Sequence, residues 1–291
     1  MLFYQSYFPS SPLNSLVARY MIISDDEKHR DWQQLQVAPH GLSGLGFSFG
    51  GDLWYQGTRK ESQKIAEGTL AGIHGFTYTI RWKDPINFLV VASKPAAAFC
   101  LLRTDLSSTR NSLHNLGSFD WNESEWVCQN LRRLPLHRWI SFLETWLEKK
   151  LAGKSITPGL VGVVAEKIIQ RQGAIPIKDL CNEFKVNRKY LERHFQLEMG
   201  SGPKEFSTLV RFNYLHTLLQ NRRISSKELV YLGNFHDQSH LIKHFTHITG
   251  VTPEAFKKIA AWGRPLNRFV NKHNAHELIL TNTVIPGTSS Y

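Results

Sequence analysis

Two stretches of the chain carry side chains whose types and spacing suit hydrogen bonding to the edges of nucleic-acid bases. In Arg188 to Met199, Leu191 and Phe195 fall four apart, so on an α-helix they share the inward face. Arg188, Lys189, Glu192, Arg193 and Gln196 are then left outside. In Gln238 to Thr249, Leu241, Phe245 and Ile248 take the inward role and leave Gln238, Ser239, Ile242, Lys243 and Thr246 outside. Arginine can donate twice to guanine, glutamine can pair with adenine, a carboxylate accepts from cytosine, and apolar groups meet the thymine methyl. A mixed-charge solvated face would account for either stretch alone. The recurrence of the arrangement argues for a reader of DNA.

Other spacings that could carry chemistry are weaker. His236, His240 and His244 stand four apart with His247 nearby, a metal-binding spacing, but no Cys or carboxylate completes the set, so phosphate contact or packing is expected. Gly41, Gly44, Gly46, Gly50 and Gly51 lack the lysine and serine of a phosphate-binding loop and are expected in turns. No G-x-S-x-G or H-E-x-x-H is present. The sequence therefore predicts no catalytic residue, no metal, no cofactor and no enzyme.

The elements that would position the two faces follow one plan. A short helix over 177–184, with Leu180 and Phe184 inward, leads through Lys185-Val186-Asn187 into the first stretch, and Asn187 is a good N-cap. Ser226 to Leu232, the turn Gly233 to Asp237, and the cap Asp237 repeat the plan. These are two helix-turn-helix units. Between them, Pro203 to Gln220 reads as one helix of about 18 residues, roughly 27 Å long, near the 34 Å or so between successive major-groove faces. Upstream, Val161, Val164, Ala165, Ile168 and Ile169 make a helix face ending at Gly173.

The first half has another texture. Gly44 to Phe49, Thr69 to Arg81 and Phe88 to Ala92 read as strands between turn signals, predicting a small β-barrel or sandwich. Trp121 to Leu151 reads as an amphipathic helix, with Leu134, His137, Ile140, Leu143 and Leu147 on a stripe that either packs on the barrel or makes a dimer seam. Gly153 to Gly159 looks like a linker. The end of the chain, closing in Pro-Gly-Thr-Ser-Ser, is expected to be mobile. The predicted organisation is 1–153 as a sensor or dimerisation domain, 154–265 as the double helix-turn-helix domain, and 266–291 as a tail.

The 291 residues carry 35 Lys and Arg against 24 Asp and Glu, a net +11 with pI near 9.6. Up to Thr157 the net charge is +3; from Pro158 onward it is +8. The helical half is thus the part that would face a polyanion. No stretch of 18 uncharged apolar residues occurs, and the first twenty residues lack a basic region followed by an apolar core, so neither a membrane span nor a signal peptide is expected. The three cysteines, Cys100, Cys128 and Cys181, are far apart and suit a reducing cytoplasm.

From Leu160 to Lys258 the chain resembles the AraC/XylS transcriptional regulators. The resemblance rests on Leu191-Glu192-Arg193-His194-Phe195, Met199-Gly200 with Pro203, Arg211, the run Gly233 to Leu241 with Phe245, and Gly250-Val251-Thr252-Pro253-Glu254-Ala255-Phe256. It implies base contacts by Lys189, Glu192 and Arg193 and by Gln238, Ser239 and Lys243, matching the outward faces. Gly233 would permit the turn, Phe235 plug the core, and Pro253 start a closing helix. Cys181, Val230 and Leu215 stand where the family usually has small alanines, which implies local repacking. Tyr7-Phe8-Pro9, Val37 to Gly41 and Phe88 to Phe99 resemble the sensor-type domains attached to such regulators, which are similar to cupin barrels. No His-x-His pair of a metal-binding cupin occurs, so His40 and His74 are expected in a turn or the core.

The expected fold class is therefore α+β: an N-terminal cupin-like β-barrel with flanking helices and a C-terminal all-α domain. The expected function is a sequence-specific DNA-binding transcription regulator, an activator, with Arg188, Arg222 and Arg223 on the DNA backbone. Double-stranded promoter DNA, RNA polymerase, a small-molecule effector and a second copy in a homodimer are its expected partners, and a membrane is not. The rival readings are a sequence-neutral DNA-binding protein and a small-molecule-binding or enzymatic barrel with an accessory helical domain.

Overall fold

A computed structural model describes residues 2–57, 62–153, 159–220, 224–256 and 284–286. The first half supplies β1 (Phe3–Tyr7), β2 (Val17–Asp25), β3 (Gln33–Val37), β4 (Gly44–Gly50), β5 (Trp54–Gln56), β6 (Ser62–Lys64), β7 (Gly68–Ala71), β8 (Tyr78–Trp82) and β9 (Ile86–Ser93), then α1 (Ala97–Leu102), β10 (Leu113–Asn115), α2 (Ser124–Arg133) and α3 (Trp139–Leu151). The second half supplies α4 (Leu160–Gln170), α5 (Ile177–Glu183), α6 (Arg188–Met199), α7 (Pro203–Gln220), α8 (Ser226–Leu232) and α9 (Gln238–Thr249), followed by β11 (Val284–Pro286).

The strands form two antiparallel sheets in the orders β1-β2-β9-β4-β7-β10 and β11-β3-β8-β5-β6. The β domain is thus a sandwich of two sheets that do not close into a barrel, and the protein is α+β as expected. Strand alternation explains the layers. Along β2 and β4, Tyr20, Ile22, Leu45, Phe47 and Phe49 enter a cluster shared with Val127, Leu131, Leu143 and Leu147 of α2 and α3. Ile23 of β2 points the other way, joining Leu35, Val37, Tyr78, Ile80 and Phe88 between the sheets. The apolar stripe of α3 is therefore spent on the β domain.

Two elements are shorter than their sequence patterns predict. The run from Thr69 to Arg81 is two strands in different sheets. Gly72 comes so close to Thr109 that a Cβ there would meet its carbonyl oxygen, and the chain crosses between sheets over residues 72–77. The helix from Trp121 to Leu151 is two helices, because Pro135 holds the backbone extended after α2 ends at Arg133. Residues 154–158 of the expected linker lie outside the described residues, as does most of the expected tail. Within that tail Val284–Pro286 pairs antiparallel with β3.

The helical half has two cores strung along α7. Phe206, Leu209 and Val210 join Val161, Val164, Ile168, Leu180, Leu191 and Phe195 in the first. Phe212, Leu215 and Leu219 join Leu229, Phe235, Leu241, Phe245 and Ile248 in the second. One helix thereby belongs to both units, and its rigidity fixes their separation to the extent that each core grips it. Among the described residues, no helix is long and apolar enough to cross a membrane.

Candidate nucleic-acid interface

Each repeated unit begins with local capping. Asn187, at the start of α6, accepts a 2.8 Å hydrogen bond from the Tyr190 N–H; Asp237 does the same for the His240 N–H at 2.8 Å. That backbone N–H, with His236 alongside, holds the Asp237 carboxyl below the usual carboxylate range. Ser225 and Glu228 close a reciprocal cap on α8. These caps fix where the helices start, and hence which residues face outward in their first turns.

On α6, Leu191 and Phe195 are fully buried, while Arg188, Lys189 and Arg193 are exposed and Glu192 is half-buried. The Arg193 guanidinium lies 5.9 Å from the centre of the Tyr190 ring, and that ring stacks on His194. Arg188 Nε donates to Glu192 Oε1 at 2.8 Å, so an expected phosphate contact and an expected base contact hold each other. An exposed pair of this kind adds little to stability, so DNA can part it. On α9, Gln238, Ser239 and Lys243 are exposed, and Leu241, Phe245 and Ile248 are buried. The structure thus gathers the predicted base-contacting residues on the exposed sides of two capped helices. Arg222 and Arg223 lie outside the described residues.

Besides Glu192, three more outward residues differ from the helical wheel. Ile242 and Thr246 are half-buried. Gln196 is half-buried too, and its Nε2 donates to the Ser107 carbonyl of the β domain at 3.2 Å, a contact no local pattern could signal. Tyr190, 38% exposed, was missed as a member of the α6 surface. Its place beside Lys189 and beneath Arg193 was legible, since aromatic residues and Arg three apart on a helix are neighbours.

His74 is buried, with Nδ1 2.8 Å from the Gly72 carbonyl and Nε2 3.0 Å from the Tyr55 hydroxyl; burial lowers its pKa to about 4. His40 accepts from the Leu42 N–H, and burial lowers its pKa to about 3. These are the turn and core histidines expected. His244 on α9 is pushed to about 4, chiefly by desolvation. Asp25, Glu27 and His29 converge at the end of β2, where the buried Asp25 carboxylate accepts from Trp82 Nε1 at 3.0 Å and pairs with His29 at 2.8 Å. Between the sheets lies a cavity of about 70 Å³. Gly46 makes room for the Phe88 ring, which would stand 2.7 Å from a Cβ there, and Met21, Ile80, Val90 and Tyr78 supply apolar lining.

Residues 180–259 match a helix-turn-helix domain family, and residues 5–115 match a domain of unknown function, DUF6597. The melibiose operon regulatory protein of Escherichia coli (strain K12) is 26% identical over 101 residues, 35% of this chain and 32% of that protein. The chain thus spans about a third of the length of the curated relative it matches. Among solved structures, ToxT from Vibrio cholerae is 14% identical, with 88% of this chain and 98% of that one covered at a TM-score of 0.46. ToxT of strain SCE256 with an unsaturated fatty acid bound is 13% identical, with 82% and 94% covered at a TM-score of 0.44.

Proposed function

We propose that this chain, whose helical half is an AraC-type helix-turn-helix domain, is a sequence-specific DNA-binding regulator of transcription. The observation that carries this reading is the pair of N-capped helices, α6 and α9, each exposing basic side chains over a buried apolar face, with Gln238 and Ser239 also exposed on α9. An 18-residue helix joins them, and at 1.5 Å per residue it spans roughly 27 Å. The two helices would enter successive major-groove segments on one side of B-DNA. Lys189, Glu192 and Arg193 would read one segment, and Gln238, Ser239 and Lys243 the other. Arg188, Arg222 and Arg223 would meet phosphates. The matched relative is an operon regulatory protein, and the chain is read as a regulator rather than an enzyme.

The organisation proposed is a sensor or dimerisation domain at 1–153, the DNA reader at 154–265, and a tail at 266–291. The inter-sheet cavity supports a small-molecule effector over a purely structural β domain, because its lining of apolar side chains such as Met21, Ile80, Phe88 and Val90 suits an apolar ligand. Activation through RNA polymerase on promoter DNA, in the cytoplasm, completes the reading.

The test begins by selecting the preferred site from random DNA. Arg193→Ala should then weaken binding to that site by roughly 1–3 kcal/mol and leave binding to random DNA little changed, as measured by titration at fixed salt. Equal losses on both would make Arg193 a phosphate contact and remove the base-reading role from α6.

A further inference from the structure

The β domain holds the two helix-turn-helix units in different ways. The first unit is built into it. Ile73 and Ala96 of the β domain are buried in the core of that unit among Val161, Leu191 and Phe195. The Leu106 N–H donates to the Leu197 carbonyl at 2.8 Å, and Gln196 reaches the Ser107 carbonyl. Arg110 donates to Ser201 at 2.8 Å and pairs with Glu205 at 3.2 Å. Gly41 presses on α7, where a Cβ would stand 3.6 Å from the Phe206 ring and 3.7 Å from Leu209.

The second unit has another kind of attachment. Among the described residues, its apolar cluster draws no side chain from the β domain. Its link is polar: the Thr77 N–H donates to the Ile248 carbonyl in the last turn of α9 at 3.1 Å, with the Thr77 hydroxyl 3.5 Å from the same oxygen. Opening a shared apolar core exposes buried area, whereas opening a hydrogen bond at a helix end trades it for water at small net cost. The first unit is therefore fixed to the β domain directly, whereas the second, this link apart, is held in place through α7.

We propose that Thr77 is a positioning residue, a latch that sets the angle of the second recognition helix α9 relative to the first. This rests on the DNA-reading function proposed above. With the latch closed the protein demands one spacing between the two base segments; with it open it tolerates others. The latch sits immediately before β8, next to Tyr78 in the cavity wall.

The test uses the full chain. Thr77→Pro removes the donor N–H, and Thr77→Ala keeps it. In hydrogen exchange without DNA, Thr77→Pro should speed exchange in α9 by about tenfold and leave α6 within about twofold of wild type, while Thr77→Ala behaves as wild type. Inserting one base pair between the two segments of the selected site turns them by roughly a tenth of a helical turn. That insertion should cost wild type about tenfold in affinity and Thr77→Pro less than about threefold. Unchanged α9 exchange in Thr77→Pro, or the same insertion penalty as wild type, overturns the latch. In wild-type protein the Thr77 amide itself should exchange at least about tenfold more slowly than an unprotected amide. Exchange at the unprotected rate overturns the latch whether or not the proline variant folds. A wild-type protein that shows no preference for the selected site overturns the DNA-reading function instead.

Discussion

A Cβ at Gly233 would lie 2.6 Å from the Phe235 ring and 2.8 Å from Leu215 Cδ2. Its φ of −79° is open to any residue, and it is Asn234, with φ 52°, that takes the left-handed turn. Space, not conformational freedom, is what Gly233 supplies. Leu215, where the resemblance implies a small alanine, is fully buried against it. The missing Cβ at Gly233 thus leaves room for the Leu215 side chain. Gly233→Ala should destabilise the protein by about 1–3 kcal/mol in urea melts. Adding Leu215→Ala should recover part of that loss, since contacting residues couple. Additive losses in the double variant would show that the new methyl strains only the Phe235 side.

Among the elements, the recognition helices owe their starting points to their caps. Without Asn187, the Tyr190 N–H at the head of α6 loses its 2.8 Å partner. Asn187→Ala should cost about 1 kcal/mol of stability by chemical denaturation. Asn187→Asp should keep most of it, because a carboxylate accepts the same hydrogen bond. A cap variant as stable as wild type would mean that the buried Leu191 and Phe195 alone set the start of α6. The i,i+4 pair of Arg188 and Glu192 adds a second consequence within the same helix. Glu192→Gln should free Arg188 for phosphate and strengthen binding to random DNA, most visibly at low salt. Weaker or unchanged binding there would show that the pair does not withhold Arg188.

For the whole molecule, burial of neutral histidines dictates the acid response. His74, in the β domain, and His216, in the core of the second unit, are 4% and 1% exposed, and desolvation lowers the pKa of each to about 4. The unfolded chain takes up these protons near pH 6.5, but the folded one does so only near pH 4. Stability is therefore full above about pH 6.5 and falls as the pH drops toward 4, by up to roughly 1.4 kcal/mol per pH unit for each such group. Urea melts at stepped pH should show that slope. A flat profile between pH 6.5 and 4.5 would mean that these rings gain protons without unfolding. Because such histidines lie in both halves, and the first helix-turn-helix unit shares its core with the β domain, loss of either half should weaken the other.

The helical half was legible from the sequence because its signals are local. Apolar residues recur every three or four positions, Asn187 and Asp237 cap, and Pro203 opens a helix, so the bounds of α6, α7 and α9 match their patterns. The exposed faces follow from the same period, and even the Arg188–Glu192 pair could have been read from its spacing. What tertiary structure alone decided is everything that depends on residues far apart in the chain. The strand order, the sheet crossing at residues 72–77, the burial of Ile73 and Ala96 in a helical core, and the contacts of Gln196 and Thr77 across the two halves all have partners tens to more than a hundred residues away. A side chain's type and its neighbours in sequence fix its local conformation, but not which distant surface will exclude water with it.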